Sequence, residues 1–227
     1  MKHPNPFADL TGFERTLWLV SVCAIVLSFL LSGGKDILTI LASLIGVTAL
    51  IFVAKGYVLG QVLTVVFALF YGVISFFFRY YGEMLTYLGM TAPMAIVAAV
   101  NWLRHPYAGT REVTVSRLKG SHMALQAVAT CFVTVVFYFL LGALGNTNLL
   151  FSTISVTTSF VASALTFLRS PFYALGYAAN DGMLIVLWVL ATRENAAYLP
   201  MVVCFVMFLA NDLYGFFNWR RMARRQG

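Results

Sequence analysis

Charge is what this sequence has least of. Asp, Glu, Lys and Arg make up 10% of its 227 residues, whereas 61% are hydrophobic. A water-soluble domain carries roughly 25% charged residues. A chain this poor in charge cannot cover a folded surface in water, and its mean hydropathy of +0.86 agrees. Cysteine and histidine are scarce too, with three of each. Cys23, Cys131 and Cys204 lie inside apolar stretches and read as small buried hydrophobes, not disulfide partners. His3 and His105 fall in a terminal and a connecting segment, which leaves no cluster at metal-ligand spacing. A phosphate-cradling glycine loop is missing, and so is any paired Ser-His or Cys-His motif. These absences speak against an enzyme, a metal and a cofactor.

What is present is a series of long uncharged runs. Residues 16–34, 37–54, 56–78 and 84–103 contain no Asp, Glu, Lys or Arg. Residues 120–168 are also free of charge, and the glycine-bearing break Gly142–Asn148 divides them into two. Runs near 171–192 and 196–219 each hold a single aspartate. A bilayer-spanning helix needs about 20 mostly apolar residues, so the pattern predicts an all-α membrane protein of about eight transmembrane helices. The longest polar segment, about Arg104 to Ser121, is too short for a catalytic domain. The first run follows Lys2 and Arg15 like a signal peptide, but no small-x-small cleavage pattern follows it, so it is kept as a membrane helix.

Basic residues orient the spans. Eight crossings put both termini and the even-numbered loops on one side, with Lys2, Arg15, Lys55, Arg104, Arg111, Arg117, Lys119, Arg169, Arg220, Arg221, Arg224 and Arg225. The other side holds Lys35, Arg79 and Arg193. That asymmetry predicts an inner-membrane protein with both termini cytoplasmic. The net charge of +7 then anchors the chain against anionic lipid, and it does not point to nucleic acid.

A repeat organises the spans. Residues 48–56, TALIFVAKG, align with 163–171, SALTFLRSP, at an offset of 115. Tyr57, Leu59 and Gly60 align with Tyr173, Leu175 and Gly176 at 116, and Asn101-Trp102 with Asn218-Trp219 at 117. Corresponding spans are an even number apart, so the two units enter the membrane from the same face. The expected organisation is an extra helix (1–35), a three-helix repeat (36–104), a loop and linker helix (105–147), a second repeat (148–219) and a basic cytoplasmic tail (220–227). This 1 + (3 + 1 + 3) parallel plan is SWEET-like, and such plans hold substrate between the units near the midplane.

Polar side chains within the spans mark the predicted site, because they are costly in hydrocarbon unless they face a cavity or each other. Ala-Asn-Asp occurs twice, ending in Asn180-Asp181 and Asn211-Asp212. On span 7, Tyr177, Asp181 and Trp188 fall on one face, with Asn180 beside them. On span 8, Asn211, Tyr214 and Asn218 share a face, and Asp212, Gly215 and Trp219 form the adjacent stripe. In the first unit Gln61 holds the position of Tyr177, Thr64 that of Asn180, and Tyr71 approaches the same cavity. Rings with amides and carboxyls suit a flat, polar small molecule. Trp102 and Trp219, beside arginines, read as interfacial belt residues. Asn101 and Asn218 also suit helix-end carbonyls, and the Ser155–Ser163 run suits close helix packing.

The ending Tyr214-Gly215-Phe-Phe-Asn218-Trp219 resembles the Tyr-Gly-x-x-x-Trp close of the Pnu-type (PnuC-like) vitamin and nucleoside transporters. The stretch Tyr173-Ala-Leu-Gly176-Tyr177-Ala-Ala-Asn180-Asp181, with Trp188 beyond it, falls where that family carries its substrate-reading residues. The resemblance implies uptake of nicotinamide riboside by facilitated diffusion, with cytoplasmic phosphorylation trapping the product. It also implies a homotrimer. Sister branches carry thiamine, riboflavin or deoxynucleosides. The nicotinamide riboside branch has a Trp-x-x-Trp pair where Tyr173, Ala174 and Tyr177 stand here. Proton-coupled transport through Asp181 or Asp212 is a second reading, and an integral-membrane enzyme or assembly factor a third.

Overall fold

The computed structural model describes residues 5–32, 37–77, 81–146 and 148–227. Lys2, His3, Lys35 and Arg79, used above, lie outside them. Among the described residues eight helices are long and apolar enough to cross a membrane. They are α1 (Gly12–Leu31), α2 (Ile37–Ala54), α3 (Val58–Phe77), α4 (Tyr81–Leu103), α5 (Gly120–Ala143), α6 (Leu149–Phe167), α7 (Tyr173–Glu194) and α8 (Leu199–Gln226). The eight long apolar runs thus become eight helices.

Local chemistry sets their ends. Thr11 caps α1 by accepting from Glu14 N–H, while the Glu14 carboxylate accepts from Thr11 N–H. Gly56, at φ +69°, ends α2 in a left-handed turn that glycine adopts without a steric cost. Arg169 takes the same conformation after α6, at φ +57°. α4 is interrupted by a π turn at Tyr87–Thr91. Pro93 follows it, and a wide turn relieves the clash of the proline ring with the preceding turn. α8 runs on through Arg220–Arg225, so the expected separate tail is the last turns of a helix. Gln226 ties that end down, accepting from Val115 N–H and donating to Val113 O.

Six helices close a ring in chain order. α2 packs on α3, α3 on α4, α4 on α6, α6 on α7, α7 on α8, and α8 back on α2. α1 lies outside, across the α2–α8 seam, and α5 lies outside against α6. Leu125, Val128, Phe132 and Phe139 of α5 are about 70% exposed, an apolar surface for lipid in a multi-pass membrane protein.

The end of the ring that carries both termini is cross-braced. Trp102 Nε1 and Asn101 Nδ2 on α4 donate to Thr166 O and Phe167 O, at the end of α6. Trp219 Nε1 and Asn218 Nδ2 on α8 donate to Val53 O and Ala54 O, at the end of α2. The last carbonyls of a helix have no partner within it, and leaving them bare in a membrane is costly. Trp102 and Trp219 are therefore fully buried and not belt residues, which corrects the sequence reading. Val53 and Thr166, like Ala54 and Phe167, stand 113 positions apart, so the helix ends correspond two residues away from the 115 register. Segment 104–119 crosses this end, where Val113 N–H bonds to Gly56 O and Ser116 N–H to Arg169 O.

Candidate functional site

The centre of the ring encloses a narrow cavity of roughly 60 Å³, and all six ring helices line it. α2 presents Gly46, Ala49, Leu50 and Val53. This wall is low because a side chain on Gly46 would strike the Phe208 ring. α3 adds Gln61, Thr64 and Phe67, and α4 adds Tyr87 and Thr91 from its π turn. Ser159 comes from α6, Tyr177, Asn180 and Asp181 from α7, and Phe205, Phe208 and Asp212 from α8. Six of the predicted residues therefore meet here: Gln61, Thr64, Tyr177, Asn180, Asp181 and Asp212.

The polar groups are held from behind. Ser155 Oγ donates to Asn180 Oδ1 (2.9 Å), which fixes the amide so that its nitrogen is turned away from α6. Ser163 Oγ and the Tyr177 hydroxyl are hydrogen-bonded at 3.1 Å. The serines of α6 thus orient the residues of α7, a job beyond the close packing read from the sequence. Asp181 and Asp212 line the same cavity from α7 and α8. Both are almost completely buried, and Asp181 Oδ2 has no donor among the described residues. Thr91 Oγ1 is likewise buried without a partner. Rings supply the rest of the wall, with Phe67 edge-on to Tyr87 and to Phe208.

Five predicted residues stand elsewhere. Asn211, Tyr214 and Asn218 do share a face of α8, but that face meets α1 and α2. Asn211 Nδ2 donates to Ser21 Oγ on α1 (3.0 Å), and the Tyr214 hydroxyl donates to Glu14 Oε1 (2.8 Å), beside the buried Glu14–Lys55 ion pair. Asn218 closes the end of α2. The three form helix-to-helix contacts and stand outside the ring cavity. Tyr71 and Trp188 lie in the core beyond the cavity, away from the braced end. The Tyr71 hydroxyl donates to Glu83 Oε2 (2.7 Å), a carboxylate that the sequence reading left out.

The residues missed were Phe205 and Phe208 on α8 and Tyr87 and Thr91 on α4. Two had a signal. Phe205, Phe208, Asp212, Gly215 and Trp219 are spaced as one helical stripe, so extending Asp212–Gly215–Trp219 upward finds both rings.

Comparison with known proteins follows the same outline. The family model described as "Nicotinamide mononucleotide transporter" matches residues 36–221. A protein of Neisseria mucosa named nicotinamide riboside transporter PnuC is 28% identical over 96% of this chain and 85% of its own length. One of the same name from Haemophilus influenzae is 23% identical, over 83% of this chain and 81% of its own. A crystal structure described as that of the vitamin B3 transporter PnuC superposes with a TM-score of 0.84 at 26% identity. It covers 96% of this chain and 94% of the other.

Proposed function

Because the chain belongs to the nicotinamide mononucleotide transporter family, and is a membrane transporter rather than an enzyme, we propose that it takes up a nucleoside-like vitamin through the centre of its ring. Nicotinamide riboside is the first candidate. The observation that carries this reading is the convergence of Gln61, Thr64, Tyr177, Asn180, Asp181 and Asp212 on one buried cavity walled by rings. Amides, hydroxyls and carboxyls there match the hydroxyls of a ribosyl group, and the rings match a flat base. Ligand pockets run to about 300–1,000 Å³, so a cavity of roughly 60 Å³ belongs to a closed conformation and the ring helices part to admit substrate.

Transport proceeds by facilitated diffusion. Both termini and segment 104–119 face the cytoplasm, where a kinase phosphorylates the incoming nucleoside. The added phosphate makes the product too bulky and too charged for a cavity lined by two carboxyls. The functional unit is a homotrimer in an inner membrane, and each chain is built from two parallel three-helix units. The Asp181–Asp212 pair favours one rival reading, coupling to protons.

Purified protein in liposomes separates the two. Labelled nicotinamide riboside should equilibrate with no ion gradient, and should accumulate only when kinase and ATP are sealed inside. Accumulation driven by an imposed proton gradient without kinase would establish the coupled reading instead. If no labelled nicotinamide riboside, thiamine, riboflavin or deoxynucleoside crosses, uptake of this class is excluded.

A further inference from the structure

We propose, resting on the transport reading above, that the Asp181–Asp212 pair makes the ring centre select a ligand whose aromatic ring carries a positive charge. The cavity walls hold two carboxyl groups and not one Lys, Arg or His. The nearby buried cation, Lys55, is committed to Glu14 at 3.0 Å on the α1 side of α2. A carboxylate pair out of water with no cation beside it is strongly disfavoured. Protonation relieves it in the empty cavity, and a cation entering from outside the protein takes the place of the proton. Asp181 Oδ2, buried and without a donor, is where such a partner is missing.

Geometry also restricts the kind of cation. Phe67, Phe205 and Phe208 come from two different helices and line the same cavity as the carboxyls with ring surface. Among the described residues no group of three or more His, Cys, Asp or Glu comes together that could hold a metal ion. A delocalised ring cation meets the aromatic faces through cation–π attraction and the carboxyls through charge. Gln61, Thr64 and Asn180 remain for the uncharged part of the same molecule. The substrates considered for this class divide on that criterion. Nicotinamide riboside (a pyridinium) and thiamine (a thiazolium) carry the charge, whereas riboflavin and deoxynucleosides do not.

The test compares one molecule in two charge states. Dissociation constants are measured on the purified full-length protein for nicotinamide riboside and for its reduced dihydropyridine form, which keeps the ribosyl group and loses the ring charge. The unaltered protein should prefer the cation by about tenfold or more, the factor one charge-assisted hydrogen bond supplies. Asp212→Asn and Asp181→Asn should each shrink that ratio to within about threefold. Equal binding of both forms by the unaltered protein would overturn the charge selection and leave uptake of a nucleoside-like molecule standing. A variant that weakens both forms by the same factor would assign the carboxyls to structure alone. Failure of either form to bind, together with silence in the liposome assay, would remove the transport reading and this inference with it.

Discussion

The indole rings of Trp102 and Trp219 meet at 5.3 Å between centroids, and each donates its N–H across to the other half of the molecule. Trp102 closes the end of α6 and Trp219 the end of α2. α4 and α8 therefore each supply side-chain hydrogen bonds to the end of a helix far away in sequence. Tyr173 joins them, its ring edge-on to Trp219 at 4.9 Å.

Trp219→Phe should keep most of the ring contact and lose only the hydrogen bond to Val53 O. Val53 O keeps its bond from Gly56 N–H, so the loss is that of one hydrogen bond, about 0.5–1.5 kcal/mol. For a chain of this size that lowers the melting temperature by roughly 2–4 °C per kcal/mol. Thermal unfolding in detergent measures it, and an unchanged midpoint would mean that the brace contributes nothing.

Gln61→Ala and Tyr177→Phe should weaken substrate binding about five- to a hundredfold, as expected for removing a hydrogen bond to a buried ligand group. Asn211→Ala and Tyr214→Phe should leave affinity in place and lower stability, because their partners are Ser21 and Glu14 on α1. Titration of all four variants with labelled ligand separates the two groups. The reverse ranking would move the site to the α1–α8 seam.

Glycines give a prediction of opposite signs. A Cβ on Gly60 would lie 2.4 Å from Val53 N and 2.8 Å from Phe52 C, both backbone atoms of α2 that cannot yield. Gly60→Ala should therefore force α2 and α3 apart and cost about 1–3 kcal/mol or more. Gly182 has nothing within 4 Å of that position. Gly182→Ala should stabilise α7 by up to about 1 kcal/mol through helix propensity. Melting temperatures of the two variants should move in opposite directions.

Single cysteines placed in segment 104–119 or after Arg221 should be shielded from impermeant thiol reagents in intact cells. They should become reactive once the cells are opened. Labelling from outside would reverse the assigned orientation.

Much of the architecture can be read from the sequence, because hydrocarbon penalises charge so heavily that each uncharged run has one fate. The candidate site is legible on α7, where Asn180 and Asp181 sit amid apolar residues with no competing polar stripe. On α8 two polar stripes lie side by side, and periodicity alone does not say which one faces the centre. The answer depends on α1. Its Ser21 and Glu14 take up the Asn211–Tyr214 stripe and leave Asp212 to the cavity. Nothing in the residues of α1 announces which seam it will cover. Tyr87 stayed hidden because a π turn shifts the side chains that follow from their α-helical directions.

The cross-bracing also bears on the order in which the chain can be completed. During synthesis α2 is laid down early, yet the side-chain donors to the carbonyls of Val53 and Ala54 arrive only with Asn218 and Trp219, 164 and 166 positions later. Asn101 and Trp102 wait in the same way for α6. The end of α2 is therefore unbraced until the Asn218–Trp219 turn of α8 is made. A chain stopped short of Asn218 lacks both of these side-chain bonds from α8 to α2. Completion of the ring joins segments far apart in the chain, and Asn218 and Trp219 act as its clasp.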